Sequence, residues 1–194
     1  MKYLSFDIEA TGLEEHDLII EFAMIPFCTK EKKLNYDLKK HFYIKCPSFD
    51  SLKPKLNQWV IDHNKELIEK AHSSGLEMEK FKQELINYFE SDEVKEYFDG
   101  KKITLFGKSM SAIDLPFLNR DLGWDFMRTY FNHRQLDLSS VAYALVDMEK
   151  IPAACESGSK LMSFLNMGEV AHTALEDAVN TAKMYFKLME ITKA

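Results

Sequence analysis

At 194 residues, 46% hydrophobic and 29% charged, the sequence has the length and composition of one globular domain spanning 1–194, which excludes a disordered chain. No apolar run reaches the roughly 18 residues of a membrane span, and the first residues carry no signal-peptide pattern. The formal charge of −6 argues against a broad nucleic-acid-binding surface, although four clustered carboxylates neutralised by two divalent ions would bring it to about −2. Three cysteines, Cys28, Cys46 and Cys155, form an odd set without metal-ligand spacing, which favours reduced thiols and a cytoplasmic location.

In chain order, "KYLSFDIEA" (2–10) alternates, with Leu4, Phe6 and Ile8 on one face and Tyr3, Ser5, Asp7 and Glu9 on the other. "DLIIEFAMIPF" (17–27) is almost continuously apolar, as in a strand buried on both faces. "HFYIK" (41–45) is a third strand, reached through the charged turn "TKEKKLNYD". "KLNQWVIDHNKELIEKA" (55–71) and "LEMEKFKQELINYF" (76–89) carry helical periodicity. "KKITLFG" (101–107) returns to strand, "DLPFLNRDL" (114–122) opens a helix with an early proline, and "QLDLSSVAYALV" (135–146) reads as a short strand running into a helix. The last segment, "TALEDAVNTAKMYFKLMEI" (173–191), is helical, with Leu175, Ala178, Ala182, Tyr185 and Met189 as one apolar stripe. The order βββ-αα-β-α-β-αα gives an α/β fold, a mixed sheet with helices packed on it.

Asp7 and Glu9 share a strand face, with Cα atoms roughly 6.5 to 7 Å apart. Two carboxylates at that spacing can hold divalent ions between them, but for a lone D-x-E a solvated strand end is the preferred reading. "HTALEDA" (172–178) says more. Thr173 and Glu176 form a T-x-x-E capping box that starts the helix at Ala174. His172 then stands at N′ and Asp177 at N4, the two positions that meet in a hydrophobic staple, here carrying ionisable groups instead of apolar ones. Asp114, just before Leu-Pro-Phe, is where a helix N-cap belongs, and capping alone explains it.

The ordered set, D-x-E in "FDIEATGL" (6–13), Asp in "GKSMSAIDLPFL" (107–118) and H-x4-D in "HTALEDA", resembles the three motifs of the DEDDh 3′–5′ exonuclease superfamily over essentially the whole chain. The resemblance implies a ribonuclease H-like fold: a five-stranded mixed sheet, strands one to three an antiparallel meander and the rest parallel, flanked by helices. It implies that Asp7, Glu9, Asp114 and Asp177 bind two Mg²⁺ or Mn²⁺, and that His172 is the general base. Phosphodiester hydrolysis suits such a set, because hard oxygen ligands select these cations and imidazole titrates near neutrality.

The resemblance also implies that Ala10, Thr11, Gly12 and Leu13 hold a 3′-terminal nucleotide, with Leu13 wedged against its base; a plain turn with a core leucine is the alternative reading. Trp59 and His63, at i and i+4, share one helix face, as a stacking platform or as a core pair. Phe117 joins them as a candidate substrate contact. "W-x3-H" before "SSGL", together with "GKS" and "LDLSS", is similar to oligoribonucleases, whereas "SAIDLPFL" is closer to DNA-proofreading relatives. The expected partner is therefore the 3′ end of single-stranded RNA or DNA, with a homodimer, a polymerase-type partner, or a binding module without turnover left open.

Overall fold

Alternation in the first segment produces a strand with two different faces, and both are covered. In the computed structural model, which describes residues 1–168 and 173–193, Lys2–Ala10 forms β1 and Ile19–Cys28 forms β2, buried along its whole length. They run antiparallel, Asp7 opposite Ala23 and Glu9 opposite Glu21, with a register shift between Glu9 and Ala10.

The expected third strand is divided into two. Lys33–Leu34 (β3) pairs with Phe27 and Cys28, while Lys40–Tyr43 (β4) pairs with residues 21–24. Pro26 lies between the two stretches. Its carbonyl accepts from the Asn35 amide at 2.8 Å on that edge, but its ring nitrogen has no hydrogen to donate, so a continuous ladder cannot form. The sheet therefore has six strands where the sequence pattern indicated five.

Next come Phe49–Leu52 (α1), Gln58–His63 (α2), Lys65–Ser74 (α3), Met78–Glu90 (α4) and Asp92–Tyr97 (α5). The single helix expected over 55–71 is broken at Asn64, whose backbone (φ −107°, ψ 9°) ends α2 and begins α3. Leu105–Gly107 (β5) runs parallel to β1, followed by Asp114–Leu122 (α6) and Trp124–Tyr130 (α7). Leu136–Asp137 (β6), parallel to β5, leads into Leu138–Asp147 (α8), then Gly158–Phe164 (α9) and Ala174–Ile191 (α10). The sheet order is β3-β2-β1-β5-β6, with β4 also on β2.

Leu4, Phe6 and Ile8 of β1 pack with Phe22, Phe81, Leu85, Phe117 and Phe126 on one face. On the other, Tyr3, Ile25, Phe27 and Phe106 meet Leu138, Leu161, Ala178, Ala182 and Leu188. α10 lies close to the sheet because Ala174, Ala178 and Ala182, all fully buried, present only methyl groups there. Its buried side is centred on Ala178, Thr181, Ala182 and Leu188, so Leu175, Tyr185 and Met189 of the expected stripe are half-buried flanks. Ser5 Oγ donates to the Ala178 carbonyl at 2.7 Å, fixing the helix over β1. Among the described residues no helix is long and apolar enough to cross a membrane, and the three cysteines are free and buried.

Candidate active site

The acids converge at the C-terminal ends of β1 and β5. Asp7 and Glu9 project from the β1 face that α10 covers, and the Thr173 cap sets where that helix begins. The Thr173 hydroxyl accepts from the Glu176 amide at 3.3 Å, as the T-x-x-E pattern indicates. Its own hydrogen goes to Glu176 Oε2 at 2.9 Å. With Ala174 as the first helical residue, Asp177 falls one turn in, and Asp7, Glu9 and Asp177 each bring a carboxylate oxygen within 4.8 Å of the others. His172 lies outside the described residues.

Asp114 arrives differently from the sequence expectation. It is the first residue of α6, and Ile113 stands at the cap position. Its Oδ1 instead accepts from the Ile8 amide of β1 at 3.1 Å. β5 is short, so the β1 amides on that edge lose their strand partner after Gly107. Leu4 still donates to the Thr104 carbonyl at 3.1 Å, but two positions beyond Phe6 the donor is met by a side chain. A buried amide must find an acceptor, and satisfying it draws Asp114 to the strand that carries Asp7 and Glu9.

This crowding has an electrostatic signature. Burial raises the Asp7 carboxyl well above its ordinary range, and Asp114, Asp177 and Glu9 push it further. Glu9 is pushed up to about 7 by burial, then by Glu21, Asp177 and Asp114. Burial also lifts Asp114 to about 7, against the amide bonds it accepts from Ile8 and itself, with Asp137 adding to the rise. The Lys108 ammonium opposes the rise on all three. It is delivered by a turn in which Ser109 adopts φ 56°, a left-handed conformation costing about 1 kcal/mol. The turn is held by Asp137, which accepts from the Met110 amide at 2.9 Å, and by a 2.8 Å hydroxyl contact between Ser109 and Ser139. The Lys108 stem passes Gly158, where an added Cβ would lie 3.3 Å from Nζ.

Glu21 is fully buried directly across from Glu9. One oxygen lies 2.5 Å from His41 Nε2, and the other accepts from the Ala174 amide at 3.2 Å. It thus ties the start of α10 to β2. Local periodicity gives no hint of this, beyond the oddity of a carboxylate in "IIEFA".

The residues after Glu9 shape the space beside the acids. Leu13, 73% exposed, stands between two clefts. The first, about 450 Å³, is lined by Glu9, Ala10, Gly12, Leu13, Trp59 and Phe117 among others; the second, about 410 Å³, shares Leu13, Ile113 and Phe117 and adds Pro116 and Arg120. Thr11 lines neither. It is buried, donating from its hydroxyl to Asp17 Oδ1 and accepting from the Leu18 amide, both at 2.9 Å. Asp17 also explains Gly12, since a Cβ there would lie 2.3 Å from the Asp17 carboxylate. Asp17, at the head of the apolar 17–27 segment in sequence, is the hub of the 11–18 loop. Trp59 borders the first cleft with its ring stacked on His63 at 4.7 Å, and His63 Nδ1 bonds the Trp59 carbonyl. Arg120 binds the Asp17 carbonyl at 2.8 Å and both Asp121 oxygens, which clamps the loop to α6.

Comparison with known families decides what this arrangement belongs to: the RNase T exonuclease profile matches residues 4–185. The chain belongs to that exonuclease family. Solved structures share the fold at low identity. Cell-death related nuclease 4 is 12% identical with a TM-score of 0.68, matching 98% of this chain and 64% of its own. The nuclease domain of 3′hExo, a DEDDh member bound to rAMP, is 16% identical with a TM-score of 0.65, over 97% of this chain and 92% of its own. S. pombe Pop2p, in its Mg²⁺- and Mn²⁺-bound form, is 14% identical with a TM-score of 0.68, over 97% and 82%. The chain thus spans less than two thirds of the first of these. No curated protein matches it.

Proposed function

We propose that this exonuclease-family protein removes nucleotides from the 3′ end of single-stranded nucleic acid, hydrolysing phosphodiester bonds to nucleoside 5′-monophosphates with two divalent cations, Mg²⁺ or Mn²⁺. The observation that carries the reading is the meeting of Asp7, Glu9 and Asp177 oxygens within 4.8 Å, beside buried Asp114, at the mouth of a cleft divided by Leu13. The donor set fits such cations: it is all oxygen and anionic, and burial first, then like charge that Lys108 only partly offsets, raises its carboxyls. Asp7, Glu9, Asp114 and Asp177 would hold them. When bound, paired cations of this kind activate water and stabilise the leaving oxygen. The chain's own part is to place the strand end. Leu13, Ala10, Gly12, Trp59 and Phe117 enclose the terminal base, and Leu13 separates it from the next. His172, directly before the Thr173 cap, takes the proton from the attacking water.

Oligonucleotides labelled at the 5′ end test the reading. With Mg²⁺ or Mn²⁺ the product is a ladder shortened from the 3′ end, and EDTA abolishes it. Immediate release of the labelled nucleotide, or hydrolysis indifferent to EDTA, overturns it.

A further inference from the structure

A third cleft, of about 560 Å³, opens on the far flank of α6 from the acids. Leu115 and Asn119 of α6 form one wall; Ile113, Pro116 and Arg120 of the same stretch line the cleft beside Leu13. Its character is opposite to that of the acid site. Lys102, Arg128 and His133 line it, and none of its lining residues is acidic, in a chain of net charge −6. Trp124 borders it with 64% of its surface exposed, and the Arg128 guanidinium sits 5.8 Å from that ring's centroid. Lys102 Nζ donates to the Arg128 backbone carbonyl, which holds the ammonium against α7. Nothing in the acid chemistry uses these groups.

We infer that this cleft binds the 5′-ward part of the substrate strand, taking a base on Trp124 and phosphates on Lys102, Arg128 and His133. The inference rests on the exonuclease reading and extends it. Charge selects an anion, and the exposed indole selects an anion with a flat face. Continuity selects the strand already held in the active site. Ile113, Pro116, Asn119 and Arg120 are the exposed residues of the 113–122 stretch, and Pro116 to Asn119 is a rise of only about 4.5 Å. A strand leaving the cleft beside Leu13 crosses one helix to reach Trp124. This geometry favours substrates longer than a few nucleotides over a restriction to the shortest RNA fragments.

The test compares wild-type protein with Trp124→Ala and Arg128→Ala on single-stranded RNA and DNA of 2, 3, 6 and 12 nucleotides. Two readouts are taken: steady-state hydrolysis with Mg²⁺, and binding by fluorescence anisotropy in EDTA. Both side chains are exposed, so folding is retained, and circular dichroism checks it. Each variant should raise KM and Kd for the 12-mer roughly tenfold and leave the dimer and trimer within about twofold. Arg128→Ala should also reduce the slope of log Kd against log salt by about 0.7. Equal loss at every length, or competition by AMP that weakens in the variants as much as 12-mer binding does, makes the cleft a free-nucleotide site and overturns the inference. No change at any length, in a protein that still shortens strands from the 3′ end, overturns it and leaves the exonuclease reading standing. Wild-type protein that hydrolyses nothing sinks that reading instead, and the binding arm still decides the cleft.

Discussion

Helix α6 stands between two regions of opposite chemistry. On one flank, Asp7, Glu9, Asp114 and Asp177 gather beside a single lysine, Lys108; on the other, Lys102, Arg128 and His133 line a cleft without an acid. Asp114 is buried and held by the Ile8 amide of β1, with Asp7, Glu9 and Asp177 half-buried around it, so these charges cannot relax far apart. The basic region is open, and its long side chains can. Desolvation and crowding raise the cost of like charge on the acid side, whereas a solvated basic cleft is cheap to keep. On the proposed function, one helix separates the groups that would hold cations from those that would meet the strand.

The largest expected effect comes from neutralising one member of the acid set. Asp7→Asn should lower turnover by more than ~10³-fold, since a neutral amide is a poor ligand for a hard cation. In EDTA the same variant should be more stable than wild type by about 1–2 kcal/mol, because it relieves the repulsion that raises its neighbours. Matched values of kcat/KM and of thermal midpoint settle both halves; wild-type turnover in the variant would remove Asp7 from the site. No charge-neutralising change in the basic cleft should stabilise the fold.

A smaller effect follows from pH. Glu9 and Asp114 have folded values near 7, above their unfolded values of 4.5 and 3.8. Between about pH 4 and 7 the folded metal-free protein therefore keeps protons that the unfolded chain has lost, and stability falls as pH rises through that window. The loss should be on the order of 3 kcal/mol for either carboxyl taken alone, since each tenfold change in proton affinity is worth ~1.36 kcal/mol. Saturating Mn²⁺ should flatten or reverse the slope, because the cation binds the deprotonated forms. Urea midpoints at pH 5 and pH 8, with and without Mn²⁺, measure it. A metal-free protein more stable at pH 8 than at pH 5 would contradict the placement of these carboxyls.

What is legible in the sequence follows the same division between local and distant causes. The two faces of β1 and the start of α10 at Ala174 can be read, because a period of two and a capping box are fixed by neighbours in the chain. The meeting of Asp7, Glu9 and Asp177 comes from the order of three motifs, not from any one of them. Asp114 opens α6 instead of capping it, and its bond to the Ile8 amide depends on β5 ending early, which no window of sequence reveals. The same holds for Glu21 reaching the first amide of α10, 153 residues away. Their motif points Thr11 and Gly12 toward a ligand, whereas their local geometry answers to Asp17. The third strand divides opposite Pro26 of β2, a signal present in "AMIPF" but masked by its apolar run. The basic cleft draws Lys102, Asn119, Trp124, Arg128 and His133 from separate segments, so no motif announces it.

Lys108 gives the smallest and most discriminating prediction, because it is a cation that acts on the acidic side. It lowers Asp7, Glu9 and Asp114 at once, while its stem runs past Gly158 and it is partly open to solvent. Lys108→Met keeps the stem and removes the charge. The acids then rise further above their unfolded values, so the metal-free decline in stability between pH 5 and pH 8 should steepen, by no more than about 1 kcal/mol given solvent screening. At high salt the difference from wild type should shrink, as it must for a partly exposed charge. Alanine at Arg128, equally cationic but across α6, should leave that pH dependence unchanged. If Lys108→Met leaves the slope untouched while Arg128→Ala alters it, the two sides of α6 are not electrostatically separate and the contrast between them fails.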